Sequence, residues 1–451
     1  MKKYNIFYLA VFMLLVSACA DLETLAPINS VPTEQAITNF ASASAAVNGI
    51  YDEIQDETLV FDGWLALAQF FSDEANATGT FPTRLEFGNL NVFPANTTMA
   101  AVFTDLYDAI NVANNVIVSV PAVADPTFMD DQKADFVAQA KFLRAQCYLH
   151  LVTLWQDVPL ILDPTIDVGD VLNVPTSSVG EVYAQIIADF TEAASNVKKD
   201  IGPLGASKQA ANAFLARVAL YQGRWSDAQS LAEGILGEGF DLTAVPYLDD
   251  QIYSLGFTPT DGNTLNFFYG PADFGGRYSI GPSQTIIDAF EDGDARFDRT
   301  IAFTVPQVTE PPTAPTPYGT KYPSFGAGIS GTATDPIFFI RHAEMVMIAA
   351  EAAAEQGDFA TASAYINQVR SRAGLSAVTL DSGNYVDLIL AERFVEFAFE
   401  GPQRLIDLRR RGRAESVLSS IGYDPCDDVW PLPQRDVDRN INLTQNDCCN
   451  C

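Results

Sequence analysis

Histidine is almost missing from this chain: only His150 and His342 occur in 451 residues. A Ser-His-Asp triad or a histidine-rich metal site has little material to work with. Both histidines stand in helical, partly apolar runs and read as structural. Phosphate loops and dinucleotide fingerprints are missing too. Positive charge is scarce, with 26 Lys+Arg against 57 Asp+Glu and a net charge of -31. So acidic a surface repels phosphate backbones, which excludes nucleic acid as an expected partner. It repels anionic lipid as well, so membrane attachment would need an anchor rather than a basic patch. No run beyond the N-terminus approaches the roughly 20 apolar residues that span a bilayer.

Other absences are less decisive. With 57 acidic residues, chance carboxylate pairs abound, and no glycosidase pair is nominated. Glu291-Asp292-Gly293-Asp294 lacks the spacing of a calcium loop and reads as a turn. No catalytic residue, cofactor or metal is therefore expected. What remains is globular: 48% hydrophobic and 18% charged residues exclude a mainly disordered chain.

The N-terminus opens with Lys2 and Lys3, continues through an apolar run from Ile6 to about Val16, and reaches Ser17, Ala18 and Cys19. Basic start, short apolar core and small residues before a cut site make a secretory signal over 1–18. Val16-Ser17-Ala18-Cys19 resembles the bacterial lipobox, in which the Cys19 thiol takes a lipid and becomes the new N-terminus. Each buried methylene of such chains contributes about 0.8 kcal/mol to anchoring. Residues 19–32 are polar with prolines and suit a tether.

From Thr33 the period is helical, with Ala36, Phe40, Ala43, Val47 and Ile50 on one face. Residues 72–98 are rich in Thr, Asn, Gly and Phe, lack that period and read as loop. Helical spacing returns at about 99–120, 130–156, 179–197, 207–221 and 225–236, completing an N-terminal region over 33–236. Pro, Gly, Thr and aromatics dominate 237–338, where loops and short strands are expected. Helices resume at about 339–356, 359–372, 384–399 and 402–412, before an irregular tail to residue 451. Gly223-Arg224-Trp225-Ser226-Asp227-Ala228 parallels Gly357-Asp358-Phe359-Ala360-Thr361-Ala362, with Ala219 and Ala353 four residues before each glycine. This resembles the inter-helix turn of a tetratricopeptide repeat, in which Gly ends one helix and an aromatic wedges against the next. The expected fold is all-α, a helical-repeat scaffold with a loop-rich insertion.

Five segments carry a more specific resemblance. They are Ala140 to Tyr148 with Leu154-Trp155-Gln156-Asp157-Val158-Pro159-Leu160; Ala210-Ala211 through Ala216-Arg217-Val218 to Trp225; Ile366 to Leu375; Ala391 to Gly401 with Arg404 and Asp407-Leu408-Arg409-Arg410; and Val429 to Gln434 with Asn440 and Gln445-Asn446. In order and together they resemble the SusD/RagB family of nutrient-binding outer-membrane lipoproteins. Asp21 and Glu23 are similar to the surface-export signal of Bacteroidota lipoproteins. The resemblance implies a non-enzymatic surface lipoprotein that binds a nutrient, typically an oligosaccharide, as lid and partner of a SusC-like TonB-dependent barrel. Peptide binding on the same architecture, or a surface enzyme or structural lipoprotein, are the alternatives. The terminal Cys448-Cys449-Asn450-Cys451 is no feature of that family.

Glu392, Glu396 and Glu400 fall at i, i+4 and i+8, with Arg404, Arg409 and Arg410 within reach, which reads as an ion-pair network fixing the C-terminal segment. Cys147 reads as buried. A disulfide between Cys426 and Cys448, or one using Cys449 or Cys451, suits an exported protein. A sugar site wants aromatic faces beside polar side chains. Three irregular segments offer them: Phe61 to Asn76, Asn266 to Tyr278, and Tyr318 to Phe325. Trp64, Tyr269, Arg277 and Tyr322 are the expected ligand contacts.

Overall fold

The computed structural model describes residues 36–166, 169, 172–198, 202–237, 239–304, 315–324 and 333–448. The leader, Cys19, the tether, Phe325, Cys449 and Cys451 lie outside the described residues.

Helices form where the apolar period and a polar cap coincide. Helix α1 (Phe40–Ile54) buries Ala43, Val47, Ile50 and Ile54, one stripe, and opens on a reciprocal cap between Asn39 and Ser42. Asn96 caps α2 (Thr97–Ser119), while α3 (Asp130–Trp155) is buried on nearly all sides beyond its second turn. Ser178 and Glu181 form a capping box on α4 (Val179–Asn196), and Ser207 caps α5 (Lys208–Tyr221). There follow α6 (Trp225–Leu236), α7 (His342–Glu355), α8 (Phe359–Arg372), α9 (Tyr385–Glu396) and α10 (Gln403–Arg410).

From α1 to α8 each helix packs on the next. The chain is thus a row of antiparallel hairpins, the arrangement of helical-repeat proteins. Helices α6 and α7 keep this adjacency although the whole insertion separates them in sequence. The two repeat turns have one geometry. Gly223 and Gly357 take φ of +66° and +82°, and the following N–H donates to the carbonyl of Ala219 or Ala353, at 2.9 Å in both. Five residues of separation and a left-handed glycine define a Schellman end. Between α2, α3 and α4 the buried Arg144 bonds both oxygens of Asp189 at 2.9 Å and Asn114 Oδ1 at 2.8 Å. One planar fork thereby fixes three helices.

The C-terminal segment is held by ions and tryptophans. Arg341, fully buried, contacts Asp250, Glu396 and Glu400 within 2.9 Å. Arg296 and Arg370 hold Glu392, Arg372 holds Glu396, and Lys321 holds Glu400. The expected network exists, but its cations are not those nearest in sequence. Arg404 reaches Asp73, Arg410 reaches Glu351 and Asp407, and Arg409 reaches the Asp427 carbonyl. The cause is that α9 stops at Glu396 and Phe399 turns left-handed (φ 63°), so the three glutamates do not continue as one helical stripe. In the tail, Trp430 meets Trp155 edge-on at 5.2 Å, and Asn446 Nδ2 donates to both of their carbonyls. Cys147 is buried, and Cys426 and Cys448 are each disulfide-bonded.

Within the insertion, short helices (Leu265–Tyr269, Gln284–Ala289, Phe297–Thr300) and short strands replace the long helices, and further short strands lie before it. Strand β1 (Ala75–Ala77) pairs β5 (Ile280–Pro282), and β2 (Val158–Pro159) pairs β3 (Thr176–Ser177). Strand β4 (Gln251–Leu255) pairs β8 (Ile337–Arg341), closing the base of the insertion just before α7. Strand β6 (Ile301–Phe303) pairs β7 (Pro317–Gly319). The β1–β5 pairing matters most, because it lays residues 72–98 beside the insertion although about 200 residues separate them in the chain.

Candidate ligand face

The three aromatic segments do converge, but of the four residues expected to touch ligand only Arg277 stands on the surface they form. The stretch around Phe61 is no loop: Leu59–Ala66 forms a wide π-type helix, buried throughout. Its one charged side chain, Asp62, is paired with Arg84, and the rest of the segment has no polar face to keep in water. Trp64 is only 3% exposed, packs edge-on against His150 and Phe339, and donates from Nε1 to the Ile54 carbonyl. It borders an interior cavity of about 50 Å³, well under the roughly 300 Å³ of a small-molecule pocket. Tyr269 and Tyr322 are each 1% exposed and tilt against one another at 5.5 Å. Their hydroxyls donate inward, to Gln69 Oε1 at 3.0 Å and to the Phe399 carbonyl at 2.9 Å. Trp64, Tyr269 and Tyr322 are therefore corrected from ligand contacts to core residues: every face and polar handle they own is already used by protein.

Beneath the face lies a second buried layer. Glu74 is fully enclosed, accepts a hydrogen bond from the Phe399 N–H, and burial pushes its carboxyl up to about 8. Its neighbour Asp73 takes both oxygens to Arg404 at 2.7 Å. These bonds pin the root of β1 to the C-terminal helices.

Arg277 differs from the other three: it is exposed. Its guanidinium stands 4.1 Å from the centre of the half-buried Phe81 ring. Arg84 stands 4.5 Å from the same ring and also stacks on Phe61 and Phe268, at 4.7 and 4.9 Å. Asp62 holds Arg84 through both oxygens, at 2.7 and 2.8 Å. Phe61 and Phe268 stack at 4.1 Å. Further along the loop, Phe274 is 44% exposed and lies 5.6 Å from the Tyr318 ring. Tyr278 donates from its hydroxyl to the Pro317 carbonyl at 2.7 Å, and its own carbonyl receives the Thr78 hydroxyl at 2.5 Å.

Segment 76–84, segment 266–278 and β7 thus build one aromatic surface with two arginines set into it. Phe81 and Arg84 were not among the expected contacts. The only sequence sign of them is that residues 72–98 combine Phe, Asn and Thr without a helical period. Such a surface can stack an apolar ring face and hydrogen-bond its rim. Among the described residues, no group of three or more His, Cys, Asp or Glu side chains is placed to hold a metal ion. No helix there is long and apolar enough to cross a membrane.

Two family models match the chain: the "SusD family" over residues 306–448, and "Starch-binding associating with outer membrane" over residues 69–220. SusD-like protein P2 of Formosa agariphila is 27% identical across 99% of both chains. SusD-like protein P38 of the same organism is 25% identical, again across 99% of both. A solved laminarin-binding SusD-like protein superposes with a TM-score of 0.77 at 23% identity, over 91% of this chain and 99% of its own. A SusD superfamily protein from Bacteroides vulgatus gives 0.78 at 20% identity, over 90% and 98%. Fold and face define a class: a scaffold of stacked helical hairpins that presents one irregular, aromatic surface. Family models matching at both ends and SusD-like relatives aligned along the whole length support membership of the SusD/RagB family.

Proposed function

We propose that this protein is a glycan-binding lipoprotein of the outer membrane that captures an oligosaccharide on the Phe81–Arg277 face and hands it to a SusC-like TonB-dependent barrel. No bond is cleaved in this role. The observation that carries the reading is the face itself: exposed Phe274 and Arg277, with half-buried Phe81 and Tyr278, gathered on a rigid helical scaffold. Family membership and the lipobox at Val16 to Cys19 support the outer-membrane setting. Lipid on Cys19 would make the polar, proline-bearing segment 19–32 the tether to the membrane. The protein would then cover the barrel and open as ligand exchanges, with the stacked hairpins moving as one piece.

Calorimetry of the mature protein against oligosaccharides and against peptides tests the ligand class. Saturable binding of an oligosaccharide, weakened by Phe81→Ala, is expected. Binding of peptides alone would replace the reading. Radiolabelled palmitate should enter the wild-type protein and not Cys19→Ser, and an affinity-tagged wild type should bring a TonB-dependent barrel with it from solubilised outer membrane.

A further inference from the structure

The face holds a cation that no carboxylate of the described residues neutralises. Many arginines of the described residues are tied to carboxylates, as Arg84 is to Asp62, Arg404 to Asp73 and Arg341 to three partners. Arg277 is not. Its side chain enters no ion pair among the described residues, and its guanidinium N–H groups meet no acceptor there. Asp273, four residues earlier on the same loop, stays beyond ion-pair distance.

This arginine is held in place. Its backbone N–H donates to the Phe267 carbonyl at 2.7 Å, and those of Tyr278 and Ser279 donate to Gly270 and Phe268 at 2.9 and 2.8 Å. Gly276 passes so near that a Cβ there would lie 2.0 Å from the Gly270 oxygen, so only glycine fits. Tyr278 takes φ +50°, a conformation that costs a bulky residue energy and persists only where its surroundings impose it. The Phe81 ring then supports the guanidinium on one side. A cation fixed before binding loses less conformational freedom when it engages a ligand.

We propose that the ligand of this face carries an anionic substituent, a uronate carboxylate or a sulfate ester, which Arg277 binds against the Phe81 ring. The proposal rests on the glycan-binding reading of the face and names the substrate class. Guanidinium suits such groups because its planar fork can give two parallel, charge-assisted hydrogen bonds. The net charge of -31 does not oppose this. At physiological ionic strength, charges more than about 8 Å away are largely screened, so the local arginine decides.

The test is calorimetry on the mature protein with oligogalacturonate, a sulfated galactan oligosaccharide and a neutral laminari-oligosaccharide. One anionic probe should bind more tightly than the neutral one, and which one identifies carboxylate or sulfate. Arg277→Gln should weaken that probe on the order of tenfold or more, the weight of a charged hydrogen bond, and by more than it weakens the neutral one. Arg277→Lys should recover only part, because an ammonium cannot fork. Tighter binding of the neutral probe, or equal loss for both classes in Arg277→Gln, would overturn the anionic assignment and leave the glycan reading standing. Failure of all three probes, with both variants melting as wild type does, would overturn the glycan reading and this inference with it.

Discussion

At the scale of the residue, burial separates aromatics that bind from aromatics that fold. Trp64 and Phe81 are both large aromatics, yet Trp64 is enclosed and has spent its indole N–H on Ile54 while Phe81 is only half-buried. Trp64→Ala should cost about 3–5 kcal/mol of stability, the usual range for a deleted core aromatic, and leave affinity per folded molecule unchanged. Phe81→Ala should do the reverse, and comparing chemical unfolding with calorimetry for the two variants checks the contrast. Glu74 gives a second test, with its sign fixed by linkage. Its ordinary value is 4.5 and its folded value about 8. Between those pH values the unfolded chain has released the proton and the folded chain keeps it, so stability from this group falls as pH rises through the window. Glu74→Gln keeps an oxygen for the Phe399 N–H and removes the titration. Urea midpoints should favour the variant increasingly from pH 5 to pH 8.5, and parallel midpoints across that range would contradict the burial of a protonated acid. Neither fact is legible in the sequence, where Trp64 and Glu74 stand beside Asp62 and Asp73 with nothing to mark which will be enclosed.

At the scale of the element, period and punctuation carry the information. From α2 onward the long helices begin and end within a few residues of the segments their apolar spacing predicts, whereas α1 starts later than Thr33 and the short helix Pro82–Gly88 falls in the segment read as loop. The repeat turns were legible for a stronger reason: a left-handed residue after an alanine-rich helix needs glycine, so the motif writes its own geometry. Gly223→Ala and Gly357→Ala each place a Cβ in a left-handed turn (φ +66° and +82°), which should cost about 1–2 kcal/mol. At position 357 no atom lies within 4 Å of the added carbon, so strain alone is measured there. At position 223 the carbon meets the Trp225 ring at 3.5 Å, an ordinary contact. Thermal melts of the two variants should therefore drop by similar amounts. A near-neutral result at 357 would mean that the turn relaxes and the Schellman bonds are not what ends α7. The insertion was not legible to this degree. Its strands are three to five residues long, too short for an alternating pattern, and the partners of β4 and β5 lie far away in sequence. The C-terminal ion network shows the same limit: nearness in sequence suggested Arg404, Arg409 and Arg410, but tertiary packing delivered Arg296, Arg341, Arg370, Arg372 and Lys321.

At the scale of the whole molecule, two kinds of charge coexist, and they answer differently to salt. Inside, Arg341, Asp250, Glu396 and their neighbours form a buried set in which every cation faces an anion within about 3 Å. Ions in solution cannot enter that set, and its contribution should stay constant. Outside, the excess of 57 acidic over 26 basic residues is spread across the surface. Near α1 and α2 it crowds enough that Asp105, burdened first by burial and then by Asp56, Asp108 and Glu53, has its carboxyl pushed up to about 6. Like charges spread over a compact surface raise the energy of the folded state relative to the expanded one. Added salt weakens that repulsion over a Debye length that shrinks from about 30 Å at 0.01 M to 10 Å at 0.1 M. The midpoint of thermal unfolding at pH 7 should accordingly rise as sodium chloride goes from 10 to 150 mM, most steeply at the low end, and then level off. A falling midpoint would mean that exposed ion pairs, not self-repulsion, dominate the surface.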